Sequence, residues 1–163
     1  MSTAGLEERL TVLADIEAIK QLKARYCNVC DTGYDPDRIV ALFTEDGTWE
    51  GGEFGTATGH GAIRAMFAGL HKAVSFAQHN AINPIIEVAG NRATGLWYLF
   101  CPYTSRANNR ACWIAGKYED EYVKVNGEWK FQHLRAIIRM HARYEEGWSK
   151  KVSADFHQVL APH

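Results

Sequence analysis

Four long stretches in the second half of the chain, 76–89, 92–105, 111–125 and 128–144, are rich in β-branched and aromatic residues. Gly90-Asn91, Asn108-Asn109 and Asn126-Gly127 separate them. Such pairs accept the positive φ angles of tight hairpin turns. Three successive hairpins make a four-stranded antiparallel meander. Strands of this length coil rather than lie flat, so the sheet has a concave side that something must fill.

The first half supplies the filling. Leu6, Leu10, Leu13, Ile16, Ile19, Leu22, Tyr26 and Val29 recur at steps of three or four, which predicts an amphipathic helix from about residue 6 to about residue 30. Thr32-Gly33 ends it, with Gly33 as a left-handed cap. A second helix follows at once, with Asp35 as N-cap, Pro36 at the first turn, and Ile39, Val40, Leu42 and Phe43 on its buried side. Thr48-Trp49-Glu50 reads as a short strand running into the glycine-rich loop Gly51 to Gly59. A third helix is predicted from about His60 to Ala73, its apolar stripe formed by Ile63, Met66, Phe67 and Leu70. Helices first and strands after them define an α+β class. The expected architecture is a cone-shaped α+β barrel, with N-terminal helices packed in the concave face of a curved antiparallel sheet and a cavity between them. The 163 residues suit one domain, without internal repeat or linker. From about residue 145 a tail follows, in which Trp148, Val152, Phe156, Val159 and Leu160 keep roughly helical spacing and Ser153 can cap a short helix. That apolar row predicts a docked tail.

Several function classes drop out. The net charge is −1 and basic residues alternate with acids, as in Lys117-Tyr118-Glu119-Asp120-Glu121, so no nucleic-acid partner is expected. No run approaches the ~20 apolar residues of a membrane span, and the expected location is the cytoplasm. Cys27, Cys30, Cys101 and Cys112 read as small apolar core residues in a reducing compartment; the Cys27-x-x-Cys30 spacing lacks a second close pair. The loop glycines match no phosphate-binding or dinucleotide fingerprint, no Gly-x-Ser-x-Gly elbow is present, and histidines and acids lack metal-ligand spacing. No metal and no cofactor are expected.

Four residues stand out chemically. Asp31 lies at the C-terminal end of the first helix, where its charge meets the negative end of the dipole, so it is either a solvated turn acid or an acid with another partner. His79 falls in Phe76-Ala77-Gln78-His79-Asn80-Ala81-Ile82 with small residues on its own face, which suits a histidine in a pocket, in the core or at a subunit interface. Arg135 sits mid-strand, where an inward arginine needs an acid or an anion. Tyr26 precedes Asp31 by about one helical turn.

The helix end Arg25-Tyr26-Cys27-Asn28-Val29-Cys30-Asp31, the segment Asp46-Gly47-Thr48-Trp49, and Gly116-Lys117-Tyr118-Glu119-Asp120-Glu121-Tyr122 followed by Asn126-Gly127-Glu128-Trp129-Lys130-Phe131 resemble the SnoaL-like branch of the nuclear-transport-factor-2-like superfamily. The resemblance covers roughly residues 6–144. It is strongest to the group holding scytalone dehydratase, hexachlorocyclohexane dehydrochlorinase and bile acid dehydratase. That resemblance implies a dyad in which Asp31 orients His79, with Tyr26 matching the tyrosine of the dehydratases and Arg135 resembling the pocket arginine of the dehydrochlorinase. The second histidine of scytalone dehydratase has no counterpart near Asn108, Asn109, Arg110 and Cys112. The second acid of the bile acid enzyme has none near Cys101, Pro102 and Tyr103.

The expected activity is that of a cofactor-independent lyase or isomerase. His79 takes a proton from carbon, Asp31 holds the imidazole, and Tyr26 and Arg135 stabilise negative charge or the leaving group. Trp49, Phe54, Met66, Phe67, Leu70, Trp97, Leu99 and Trp113 are candidates for an apolar wall around a small cyclic, aromatic or steroid-like substrate. The same fold also serves as a non-catalytic β subunit of ring-hydroxylating dioxygenases and as a polyketide cyclase, and both alternatives remain at this point. Alternation along the strands sends one of Trp97 and Tyr98, of Trp113 and Ile114, and of Ile137 and Ile138 outward, so a homodimer or homotrimer is expected.

Overall fold

The computed structural model describes residues 3–150. Helix α1 (Thr3–Asp31) leads into the short helix α2 (Pro36–Val40), strand β1 (Phe43–Glu50), a single 3-10 turn, and strand β2 (Thr56–Thr58). Helix α3 (Gly59–Ala73) and strands β3 (Val74–Ala77), β4 (Asn80–Ala89), β5 (Arg92–Ser105), β6 (Ala111–Val125) and β7 (Glu128–Arg143) complete the order. The local signals act as expected at α2, where the Asp35 carboxylate accepts from the Asp37 and Arg38 amides. Gly33 takes φ +109°, and the Tyr34 amide reaches back to the Val29 carbonyl, which closes the end of α1.

The strands form one curled sheet in the order β2-β1-β7-β6-β5-β3, with β4 also paired to β5. The helices pack against its concave side, giving the α+β cone. The meander β4-β5-β6-β7 is antiparallel, but β1 runs parallel to β7, with Phe43 opposite Phe131 and Glu50 opposite Arg135. The sheet is therefore mixed and not wholly antiparallel. No hairpin joins β1 to β7, so nothing local dictates their direction; the long crossover between them permits a parallel pair. Phe43, expected on the second helix, instead opens β1.

Two further departures have clear causes. Ile19, Leu22, Tyr26 and Val29 are buried, whereas Leu6, Leu10 and Leu13 are exposed by more than half. The rim of the sheet meets α1 at Asp15, which accepts a hydrogen bond from Trp129 Nε1 at 2.9 Å and pairs with Lys124. The turns of α1 before that point run clear of the sheet. The second departure concerns residue parity in β7. Tyr122 pairs with Phe131 but Glu121 pairs with His133, so Gln132 is an extra residue, a β-bulge. Before it, Trp129 and Phe131 point inward; after it, Leu134 and Ala136 do, and Arg135 turns outward.

The core is aromatic. Tyr26 meets Phe67, Tyr118 and Phe131 edge to face at 5.7–6.4 Å between centroids. Within it lies an ion pair, Lys23 Nζ to Asp120 Oδ2 at 2.8 Å, with both side chains wholly buried. Tyr122 donates to the same oxygen at 2.7 Å and accepts from Trp97 Nε1 at 3.0 Å, while Lys23 Nζ lies 3.3 Å from the centre of the Tyr118 ring. The four cysteines are free thiols and buried. Residues 144–150 are turns, with Trp148 exposed; the rest of the apolar row predicted for the tail lies outside the described residues.

Candidate active site

His79 does not lie within a strand. β3 ends at Ala77 and β4 begins at Asn80, and both pair with β5. The register runs Ala77 to Tyr103 and Asn80 to Phe100, which puts Gln78 opposite Pro102 and His79 opposite Cys101. Gln78 donates its amide to the Pro102 carbonyl at 3.0 Å, and Pro102 has no N–H to return the bond. The ladder opens there. The His79 backbone N–H, released from the sheet, donates to both carboxylate oxygens of Asp31, at 2.9 and 3.1 Å.

Asp31 also binds the side chain, with His79 Nδ1 2.7 Å from Oδ1. The carboxylate at the unfavourable end of α1 thus has a partner that holds ring and backbone together. The imidazole is nearly buried, its side chain 12% exposed against 25% for Asp31. Burial disfavours a charged imidazole, but the Cys101 sulfur and the Asp31 carboxylate favour it and prevail, raising His79 to about 9. With Nδ1 committed to Asp31, Nε2 is the ring nitrogen left for a reactant.

His79 lines an internal cavity of about 70 Å³, measured as space open to the centre of a water molecule. That is room for a few water molecules; a steroid-sized ring would require the walls to part. Trp49, Phe54, Phe67, Leu70 and Leu99 line it as expected, and so does Tyr26, whose phenol oxygen accepts Trp49 Nε1 at 2.9 Å. Asp31 stands behind His79, outside the cavity wall.

The structure does not bring the remaining candidates to the cavity. Arg135, turned outward by the bulge at Gln132, is half exposed and pairs with Glu50 at 3.2 Å and Glu119 at 3.5 Å. Trp97 is buried but belongs to the Lys23–Asp120–Tyr122 cluster. Trp113 stacks on Phe100 on the outer face of the sheet, 5.3 Å between centroids. Met66 lies near Gly55 at the rim of α3, outside the lining.

Other residues join the site. Tyr34 lines the cavity in the left-handed region (φ +57°), an uncommon conformation for a bulky residue. Its ring stands edge-on to His79 at 6.0 Å, and its hydroxyl has no hydrogen-bond partner among the described residues. Tyr103 and Tyr118 also line the wall, Tyr103 joined through its hydroxyl to His141 Nε2 at 2.8 Å. Burial raises the pKa of Tyr26, Tyr34, Tyr103 and Tyr118, so all four phenols are neutral at physiological pH. Pro102, within an otherwise ideal strand, was the signal for the break at His79; Tyr34, one residue beyond a glycine cap, carried none.

The imidazole of a His–Asp pair in the wall of an apolar cavity, inside an α+β cone, marks this cavity as the candidate site. The chain belongs to the SnoaL-like domain family, which matches residues 11–135. Solved structures share the fold. A protein provisionally named scytalone dehydratase from Novosphingobium aromaticivorans DSM 12444 is 25% identical, with a TM-score of 0.76 over 82% of this chain and 90% of that one. The type-3 hexachlorocyclohexane dehydrochlorinase of Novosphingobium barchaimii LL02 is 22% identical, with a TM-score of 0.75 over 83% and 93%. A Mycobacterium tuberculosis protein of unknown function is 25% identical, with a TM-score of 0.68 over 83% and 76%. No curated protein matches the chain.

Proposed function

We propose that the chain is a cofactor-independent lyase of the dehydratase or dehydrohalogenase kind, acting on a small apolar cyclic substrate. The observation that carries this reading is the Asp31–His79 contact at 2.7 Å with the imidazole in the cavity wall. Neutral His79 takes the proton from carbon through Nε2. Asp31 fixes the tautomer and favours the imidazolium that forms. Tyr26 and Tyr34 face the same space as neutral phenols and serve as donors to developing negative charge or to the leaving group. Arg135, bound to two acids on the outer side, has no place in this scheme. The dehydratase and dehydrochlorinase names of the structural neighbours agree with an elimination. A passive binding subunit would have no use for a carboxylate that spends three hydrogen bonds on one histidine.

The assembly is part of the proposal. Phe76, Ile82, Tyr98, Phe100 and Tyr144 are exposed on and beside the outer face of the sheet, a large enough apolar surface to be covered by further copies in a homodimer or homotrimer.

The test of the reaction is a screen of hydroxylated and halogenated cyclic compounds for release of water or halide. His79→Ala should lower kcat/KM on any substrate found by about 10²–10⁴-fold, with circular dichroism unchanged. Undiminished turnover in that variant would remove His79 as the base.

A further inference from the structure

The mechanism above leaves one group at the site unused. Cys101 lies directly across from His79 in the β5 register, where cross-strand Cβ atoms stand about 4.5–5.5 Å apart. Both side chains line the same cavity, and the thiol donates to the Pro102 carbonyl at 3.6 Å. Only 2% of Cys101 is exposed. His79 and Cys101 therefore face the same apolar space, with Asp31 behind the imidazole.

The other three cysteines lack this setting. Burial pushes Cys27 up to about 11, and burial likewise raises Cys30 and Cys112. None of the three lines the cavity. A thiol next to an imidazole that is itself oriented by a carboxylate is the arrangement that generates a nucleophilic sulfur.

We propose that Cys101 is a covalent capture site for α,β-unsaturated carbonyl compounds, activated by the His79–Asp31 pair facing it across β5. Neutral His79 takes the thiol proton and the sulfur adds to the β-carbon. The displaced π pair moves onto the carbonyl oxygen, and the imidazolium returns its proton to the α-carbon. One C–S and one C–H bond replace one S–H bond and one C=C π bond, with no net oxidation. The reverse sequence releases the ligand, so capture is reversible. The cavity suits such ligands, because its wall is almost wholly apolar apart from the phenols that can bind one carbonyl. The proposal goes beyond the elimination reading and does not require it.

The test treats the native full chain with 2-cyclohexen-1-one, followed by intact-mass and peptide mass spectrometry. The expected result is a single adduct on Cys101, lost on dilution and absent in Cys101→Ser. His79→Ala should slow adduct formation by about tenfold or more, as loss of a general base does. Asp31→Asn, which keeps the imidazole, should move the pH midpoint of labelling downward and serves if His79→Ala does not fold. Iodoacetamide, a smaller probe, should show the same preference for Cys101. Labelling that fails to appear, falls equally on Cys27, Cys30 and Cys112, or ignores both variants overturns the proposal. Capture without elimination of any tested substrate would leave this site standing and count against the elimination reading; elimination without capture would do the opposite.

Discussion

Replacing Asp31 by Asn isolates the contribution of the dyad. The side chain remains nearly isosteric, but the negative charge facing Nδ1 at 2.7 Å is lost. In the native protein His79 is held at about 9 against an ordinary 6.5. That difference corresponds to about 3 kcal/mol of preference for the imidazolium in the folded state. The folded value lies above the unfolded one, so the charged histidine stabilises the fold fully below pH ~6.5, and this contribution disappears as pH rises through ~9. In Asp31→Asn the value should fall, because burial, which acts in the other direction, is then opposed by the Cys101 sulfur without the carboxylate. The His79 Cε1 proton shift, followed by NMR against pH, reads this directly, and urea unfolding at pH 6 and pH 9 should give a smaller difference in the variant than in the native chain. The rate follows from the same numbers. At neutral pH only about one imidazole in a hundred is neutral, so kcat/KM for proton abstraction should climb up to pH ~9. In Asp31→Asn the climb should end at lower pH, with a lower plateau. A native His79 titrating near 6.5, or a variant titrating no lower than the native protein, would refute the reasoning.

Further outcomes are expected elsewhere in the molecule. Lys23→Ala strands Asp120 in the core and should cost about 3–5 kcal/mol in urea unfolding, whereas joint replacement of Lys23 and Asp120 by Met and Leu should cost much less. Gly116→Ala should be strongly destabilising, since a Cβ there would collide with the Ile137 carbonyl oxygen at the second irregularity between β6 and β7; a thermal melt within a degree of the native chain would contradict this. Arg135→Ala should cost no more than about 1 kcal/mol and leave turnover on any identified substrate essentially intact, because its acids are at the surface.

Local chemistry carried much of the architecture. Asn126-Gly127 and Gly90-Asn91 mark turns whose positive φ angles few other residues accept, and β5, β6 and the start of β7 fall where those turns place them. The caps at Asp35 and Gly33 are also local, and so the end of α1 and the start of α2 were readable, though not the end of α2. Asp31 and His79 could be named from the chain and from the family it resembles, but not their contact, because 48 residues separate them. What joins them is a gap in a ladder at Pro102, and that gap exists only once β5 has neighbours on that side. Arg135 shows the same dependence. A period-two pattern tells which residues alternate but not which parity faces inward, and one extra residue at Gln132 reverses it. Likewise the parallel pairing of β1 with β7 and the meeting of His79 and Cys101 at one cavity arise from contacts between distant segments. Sequence alone determined most of the elements, their hairpin turns and the chemical candidates, because these depend on backbone preferences within a few residues; the short β2 and the break between β3 and β4 were not among them. Only the tertiary structure decided which candidates share the cavity, because that depends on register, and register is set by the whole sheet at once.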